Sequence, residues 1–275
     1  MTTGSKVKVH ILRLIIFICI VVFATSAYMI IDYVLDNKKV EDDYDVLRVF
    51  TAEVETDDYK EMLPIYQDMH MQNNDFVGWL SVINTKIDYP VMQTPDDEQY
   101  YLYRNFKKKD SAAGALFASA HSNLSTPSDI VTIYGHNMRI GTMFGKLGKF
   151  RDPEYLPEHK YLRFDTLMER HTYEICALFT VSVAYDSEGN IEFGYHDVID
   201  FPGEDAYNKY MEKVRLFSLY DTGVEYQYGD KFILLSTCEY TKNEGRLVIM
   251  AKKIPNEQAP EFPKPDIGNK TAKDA

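Results

Sequence analysis

The chain has 275 residues, 45% of them hydrophobic and 26% charged, which is enough for one large or two modest domains with a buried core. The formal net charge is −12, and the first 31 residues hold Lys6, Lys8 and Arg13 with no acid, so the acidic excess falls entirely downstream. A body that acidic argues against nucleic acid as a partner.

In chain order, residues 14–31 carry no charge, and Ile11 and Leu12 extend the apolar run past Arg13. That length spans a bilayer as a helix. Basic residues precede it and Asp32 follows, so residues 1–10 are expected in the cytoplasm and the bulk of the chain outside, behind a single-pass anchor at residues 11–31. Small residues in Ala24-Thr-Ser-Ala27 offer a cleaved signal peptide as the alternative, but the apolar run continues past them to Ile31, longer than a signal peptide needs. Residues 32–56 are polar and acidic and read as a juxtamembrane stalk or helix. Residues 57–72 place Tyr59, Met62, Leu63, Tyr66 and Met69 at helical spacing, interrupted by Pro64.

From Phe76 the pattern changes to short apolar runs separated by turn signals. Expected strands are residues 78–82, 87–92, 114–118, 130–134, 161–165, 171–183, 231–238 and 246–254. A short helix is expected over residues 142–147, between Gly141 and Gly148. A longer one is expected over 203–219, where Ala206, Tyr207, Tyr210, Met211 and Val214 share a face. Many strands, few helices and 21 tyrosines point to a mainly β domain at residues 57–254, an antiparallel barrel or sandwich with peripheral helices. Residues 255–275, with four prolines, read as a disordered tail.

Chemistry concentrates in the last two strands. Lys231-Phe-Ile-Leu-Leu-Ser-Thr-Cys238 and Arg246-Leu-Val-Ile-Met-Ala-Lys252 flank a polar loop bearing Gly245, the pattern of a β-hairpin. A cysteine closes one strand and an arginine opens the next, so a thiol and a guanidinium meet at one rim of a sheet. That pairing suits a nucleophile with a fixed positive charge beside it. Alone, Arg246 also fits a surface arginine pairing with Glu239 or Glu244. Of seven histidines, His136 stands just past the run Ile130-Val-Thr-Ile-Tyr-Gly135, where a general acid or base is held by the sheet yet exposed. His121, in a serine-rich loop, is the weaker candidate. No cysteine pair has metal-ligand spacing and no acidic run has calcium-loop spacing, so no metal or other cofactor is expected. A Cys176–Cys238 disulfide is the alternative for an extracytoplasmic domain. Against it, Cys176 sits mid-run in Tyr173-Glu-Ile-Cys-Ala-Leu-Phe, a setting for a buried thiol.

Tyr134-Gly-His-Asn-Met138, then Gly141-Thr-Met-Phe-Gly-Lys-Leu147, then Leu235-Ser-Thr-Cys238 with Arg246 after a short loop, together resemble a sortase, and within that family class B. Asn73-Asn-Asp-Phe-Val-Gly-Trp79 and Ile87-Asp-Tyr-Pro-Val91 match the start of such domains, and the resemblance covers about residues 60–254. It implies a closed, mostly antiparallel eight-stranded barrel with peripheral helices. It also implies transpeptidation: a surface protein bearing a C-terminal sorting signal of the Asn-Pro-x-Thr type is cut after Thr and passed to a cell-wall amine. By the same resemblance Cys238 is the nucleophile, His136 the acid and base, and Arg246 the donor to the oxyanion or the peptide carbonyl. Tyr134 and Glu239 match positions that contact the sorting signal in such relatives, while Ser236 and Thr237 precede the nucleophile and one of them is expected to face the site because strand side chains alternate. Two other readings stay open at this point: a cysteine protease using water as acceptor, and a non-enzymatic, disulfide-bonded surface domain.

Overall fold

The computed structural model describes residues 3–51, 62, 64–125, 128–241 and 243–263. Eight strands close into one barrel in the order β1-β2-β3-β4-β7-β8-β6-β5. They are β1 (Phe76–Val82), β2 (Asp88–Met92), β3 (Leu116–Ala118), β4 (Ile130–Tyr134), β5 (Tyr161–Thr166), β6 (Arg170–Ser182), β7 (Phe232–Glu239) and β8 (Gly245–Ile254). Every strand expected from the sequence is present. Neighbours run antiparallel except at β2–β3 and β4–β7, which are parallel. Closure leaves no unpaired edge among these eight strands.

Strand alternation sends one residue set inward and the next outward. Ile133, Ile233, Leu235, Leu247 and Ile249 fill the barrel with Leu80 and Phe164. Ile130, Phe232, Leu234, Val248 and Met250 point outward into a second apolar layer beneath α4 (Glu204–Phe217). That helix buries Tyr207, Tyr210, Met211 and Val214 as one stripe. It carries Glu204 and Asp205 in its first turn and Arg215 in its last, each complementing the helix dipole.

The N-terminal helix α1 (Thr3–Thr51) is continuous, without a break between the apolar run and the acidic segment that follows. Its apolar side chains from Ile11 to Leu35 are exposed, and it is the one helix among the described residues apolar and long enough to cross a membrane. Its last third instead docks on the barrel. Val40, Tyr44 and Leu47 are buried, Tyr44 Oη donates to the Gly114 carbonyl at 3.2 Å, and Arg48 Nε donates to the Asp88 carbonyl at 2.8 Å. Arg48 also pairs with Glu41 and Asp45 and lies over the Tyr89 ring. The segment expected as a stalk or helix is helical as far as Thr51, where its docked residues join the core, and its residues 52–56 lie outside the described residues. α2 (Pro64–Gln72) follows, starting at the proline that interrupted the expected helix, a position where a missing N–H costs nothing. The part of that expectation before Met62 lies outside the described residues, as does the expected tail beyond Pro263.

The helix expected over residues 142–147 is not formed. Met143 takes a left-handed φ of 49° and pairs with Asn137 in an isolated bridge. Its spacing with Phe144 and Leu147 reflects burial in the barrel's end rather than a helical face, and a 3-10 helix at Leu147–Arg151 follows. α3 (Leu156–His159) is a single turn before β5.

Candidate active site

Three segments converge at one end of the barrel. The parallel pair β4–β7 sets Tyr134 beside Ser236, and two residues further along each chain stand His136 and Cys238. β7 then turns back into β8 so that Cys238 lies directly opposite Arg246. Opposite residues on antiparallel neighbours share a face, with Cβ atoms about 5 Å apart. Cys238 has the parity of Phe232 and Leu234, and Arg246 that of Val248, so thiol and guanidinium lie on the barrel's outer face. Leu234 is fully buried under the helical layer while Cys238 and Arg246 are half-buried, so that cover has ended where the two side chains begin.

His136 is held from the far side. Its Nε2 lies 2.7 Å from the Leu102 carbonyl, and its ring tilts against Tyr103 at 5.7 Å. A carbonyl only accepts, so Nε2 carries the proton and donates, leaving Nδ1 to exchange protons. Two further bonds tie the histidine segment to the cysteine segment: Thr237 Oγ1 donates to the Gly135 carbonyl at 2.7 Å, and Asn137 Nδ2 donates to the Cys238 carbonyl at 2.9 Å.

Arg246 makes its own bonds locally, Nη1 donating to the Gly245 carbonyl at 3.0 Å and the Glu244 carbonyl at 3.3 Å. Among the described residues no carboxylate stands within ion-pair distance of it; Glu239 pairs instead with Arg151. The alternative of a surface arginine neutralised by Glu239 or Glu244 is therefore not what the structure holds. Burial pushes the Tyr195 hydroxyl up to about 12; its bond to Ser236 and the Arg246 charge work the other way, and Cys238 adds to the rise. Burial likewise raises Tyr134, again opposed by Arg246. Both tyrosines are therefore within electrostatic reach of the guanidinium.

The remaining sequence candidates divide. Ser236 shares the outward face with Cys238, but it is fully buried and its Oγ bonds Tyr195 Oη at 2.6 Å. Thr237 points inward, its hydroxyl given to Gly135. Tyr134 and Glu239 are half-buried at the same end. His121 lies in the loop after β3, with no contact to this group. Cys176 is a free thiol 5% exposed, near Met250, four residues down β8 from Arg246. At about 3.4 Å per residue that is more than 10 Å from Cys238, beyond disulfide reach. The disulfide-bonded reading is thus corrected: both cysteines are free. Asn137, Tyr195 and the Leu102 carbonyl were not singled out from the sequence. Asn137 could have been, since it follows His136; a backbone carbonyl leaves no signal in a side-chain pattern. A hollow of about 340 Å³ between α1, the β1–β2 turn and Phe262 lies apart from these groups.

Residues 80–254 match the family model for the sortase domain. The chain belongs to the sortase family. It is 29% identical over 253 residues to sortase B of Listeria monocytogenes, covering 90% of this chain and 99% of that one. A sortase B from Bacillus anthracis, solved in complex with AAEK1, superposes with a TM-score of 0.66 at 28% identity, covering 80% of this chain and 98% of that one. The Staphylococcus aureus sortase B–substrate complex, at 22% identity and a TM-score of 0.69, shares the fold over 80% of this chain and 98% of its own. Its relatives make this sortase one of class B, a cysteine transpeptidase on a closed eight-stranded barrel.

Proposed function

We propose that this sortase is a membrane-anchored transpeptidase that cleaves a C-terminal sorting signal of the Asn-Pro-x-Thr type after Thr and transfers the surface protein to a cell-wall amine. The observation that carries the reading is the register: Cys238 opposite Arg246 on one exposed face, with His136 leaving the parallel neighbour strand beside them. Cys238, as thiolate, attacks the Thr carbonyl, and the peptide bond to the next residue breaks to leave a thioester. His136 Nδ1 gives its proton to the departing amine, then accepts one from the incoming amine as the new amide forms. Arg246 donates to the carbonyl oxygen as it gains charge; one such donor is worth on the order of 3–4 kcal/mol of barrier in acyl-transfer sites.

Tyr134 and Glu239 retain surface at this end and would meet the signal peptide. Ser236 and Thr237 would serve the same subsite as its frame, since their hydroxyls are engaged by Tyr195 and Gly135. The exposed apolar length of α1 supports an anchor with residues 1–10 in the cytoplasm and the barrel outside, where its protein substrate and acceptor amine would be found.

A peptide-library assay tests the reading. Wild-type protein incubated with Asn-Pro-x-Thr peptides and a short glycine or diaminopimelate-containing amine should yield amide product, while Cys238→Ala should yield none and melt as wild type does. Full transfer by that variant would sink the reading. Free acid as the sole product, whatever amine is added, would make the enzyme a cysteine protease instead.

A further inference from the structure

The parallel ladder between β4 and β7 ends in an unusual rung. Gly135 N–H donates to the Ser236 carbonyl at 3.2 Å, and two residues on, the next acceptor in that ladder is the Cys238 carbonyl. By then the β4 chain has turned aside, with Asn137 bridged to Met143 and the His136 carbonyl accepting from Phe144 N–H. The Cys238 carbonyl is reached by the side-chain amide of Asn137 instead, at 2.9 Å. A side chain thus prolongs the ladder by one rung after the main chain has left it. His136 sits between this bond and the Thr237–Gly135 bond, so the residues on either side of the imidazole are tied to Thr237 and to Cys238.

We propose that Asn137 is a positioning residue, whose amide fixes the spacing between His136 and Cys238 and the direction in which Cys238 presents its sulfur. The inference rests on His136 and Cys238 being the reacting pair. The Asn137 amide touches the Cys238 carbonyl rather than the sulfur, so it acts through the backbone. Chemically it must be a donor, because a carbonyl faces it. Alanine removes the bond and aspartate replaces the donor with an acceptor of the same shape, whereas glutamine keeps the amide on a longer arm. Displacing a reacting group by about 1 Å is enough to cost on the order of 10²-fold in rate.

The test uses full-length protein in detergent, with an Asn-Pro-x-Thr peptide pool as acyl donor and triglycine as amine. A second readout needs no substrate: the pH profile of iodoacetamide alkylation at Cys238. Asn137→Ala and Asn137→Asp should each lower kcat by about 10- to 100-fold with KM within about twofold. The alkylation midpoint should move to higher pH as the imidazolium drifts from the sulfur, and Asn137→Gln should recover part of both. Melting followed by circular dichroism accompanies each variant; should alanine fail to fold, the isosteric aspartate carries the comparison. A wild-type kcat and an unmoved alkylation profile in the folded alanine or aspartate variant would overturn the inference. So would a loss of kcat with the profile unmoved and no recovery by glutamine. A wild-type protein that neither transfers nor alkylates preferentially at Cys238 would overturn the enzyme reading itself, which is a separate result.

Discussion

Arg246 shows how little a single side chain need do when the sheet does the placing. It stands opposite Cys238 because β7 and β8 are in that register, and its Nη1 is steadied by two carbonyls of its own turn. Lysine would keep the charge but lose the planar fork that can hold those carbonyls and still offer a donor to substrate. Arg246→Lys should therefore lower kcat by about 10²-fold with little change in melting temperature, a split that steady-state kinetics and calorimetry resolve together. A second residue governs stability rather than rate. His171 is buried on β6, where burial, with Lys253 adding to it, holds its pKa down at about 4 from 6.5, only partly opposed by Glu169. The folded state resists protonation that the unfolded chain accepts, so stability is intact above pH 6.5 and declines as pH falls from 6.5 toward 4. Asp88 and Asp165 are buried with raised pKa values and respond in the opposite sense near the acid end of that window. The clean comparison is His171→Gln, whose urea midpoint should fall less steeply across it than that of wild type. At this scale the placement of Cys238, His136 and Arg246 at one end of the barrel was legible because each ends or begins an apolar run, and such ends map onto one end of a sheet. The Leu102 carbonyl that fixes the His136 tautomer was not legible, nor was the Arg151–Glu239 pair, since both depend on segments brought together only by barrel closure.

Among the elements, α1 departs furthest from its sequence pattern. Hydropathy separates an apolar run from an acidic one and implies a boundary near Ile31, yet the helix runs through it. What decides the matter is tertiary: Val40, Tyr44 and Leu47 recur at helical spacing within a charged stretch, and Arg48 meets a backbone carbonyl, two acids and an aromatic ring at once. Tyr44 is buried, touches the Tyr89 ring edge-on at 5.4 Å and bonds to Gly114. Tyr44→Ala should cost about 3 kcal/mol in denaturant unfolding through the loss of a buried aromatic ring. A chain beginning at residue 32 should melt close to the full-length protein, whereas one beginning at residue 52 should melt lower, with Tyr89 and Asp88 uncovered. Equal melting of the two truncations would mean the docked third of α1 contributes nothing. The strands behaved differently: β-branched and aromatic runs between turn residues located all eight, because closure needs only that each present an alternating face. The misread segment at 142–147 shows the limit of the same logic. Spacing alone cannot tell a helical face from a buried turn when a residue such as Met143 adopts a left-handed backbone.

For the whole molecule, the closed barrel gives Cys238 and Arg246 a rigid floor, and their outward parity leaves them on a surface a flexible peptide can reach. On the proposed reading the acidic body and the exposed apolar helix would have separate duties, solubility outside and attachment at the membrane. In the proposed reaction one sulfur, that of Cys238, takes the acyl group. Intact-mass spectrometry after incubation with an Asn-Pro-x-Thr peptide pool and no added amine measures that directly. The expected result is an acyl adduct that maps to the peptide containing Cys238, disappears when an amine is added and is absent from Cys238→Ala. An adduct on Cys176 or Cys19, or one that survives in Cys238→Ala, would contradict it.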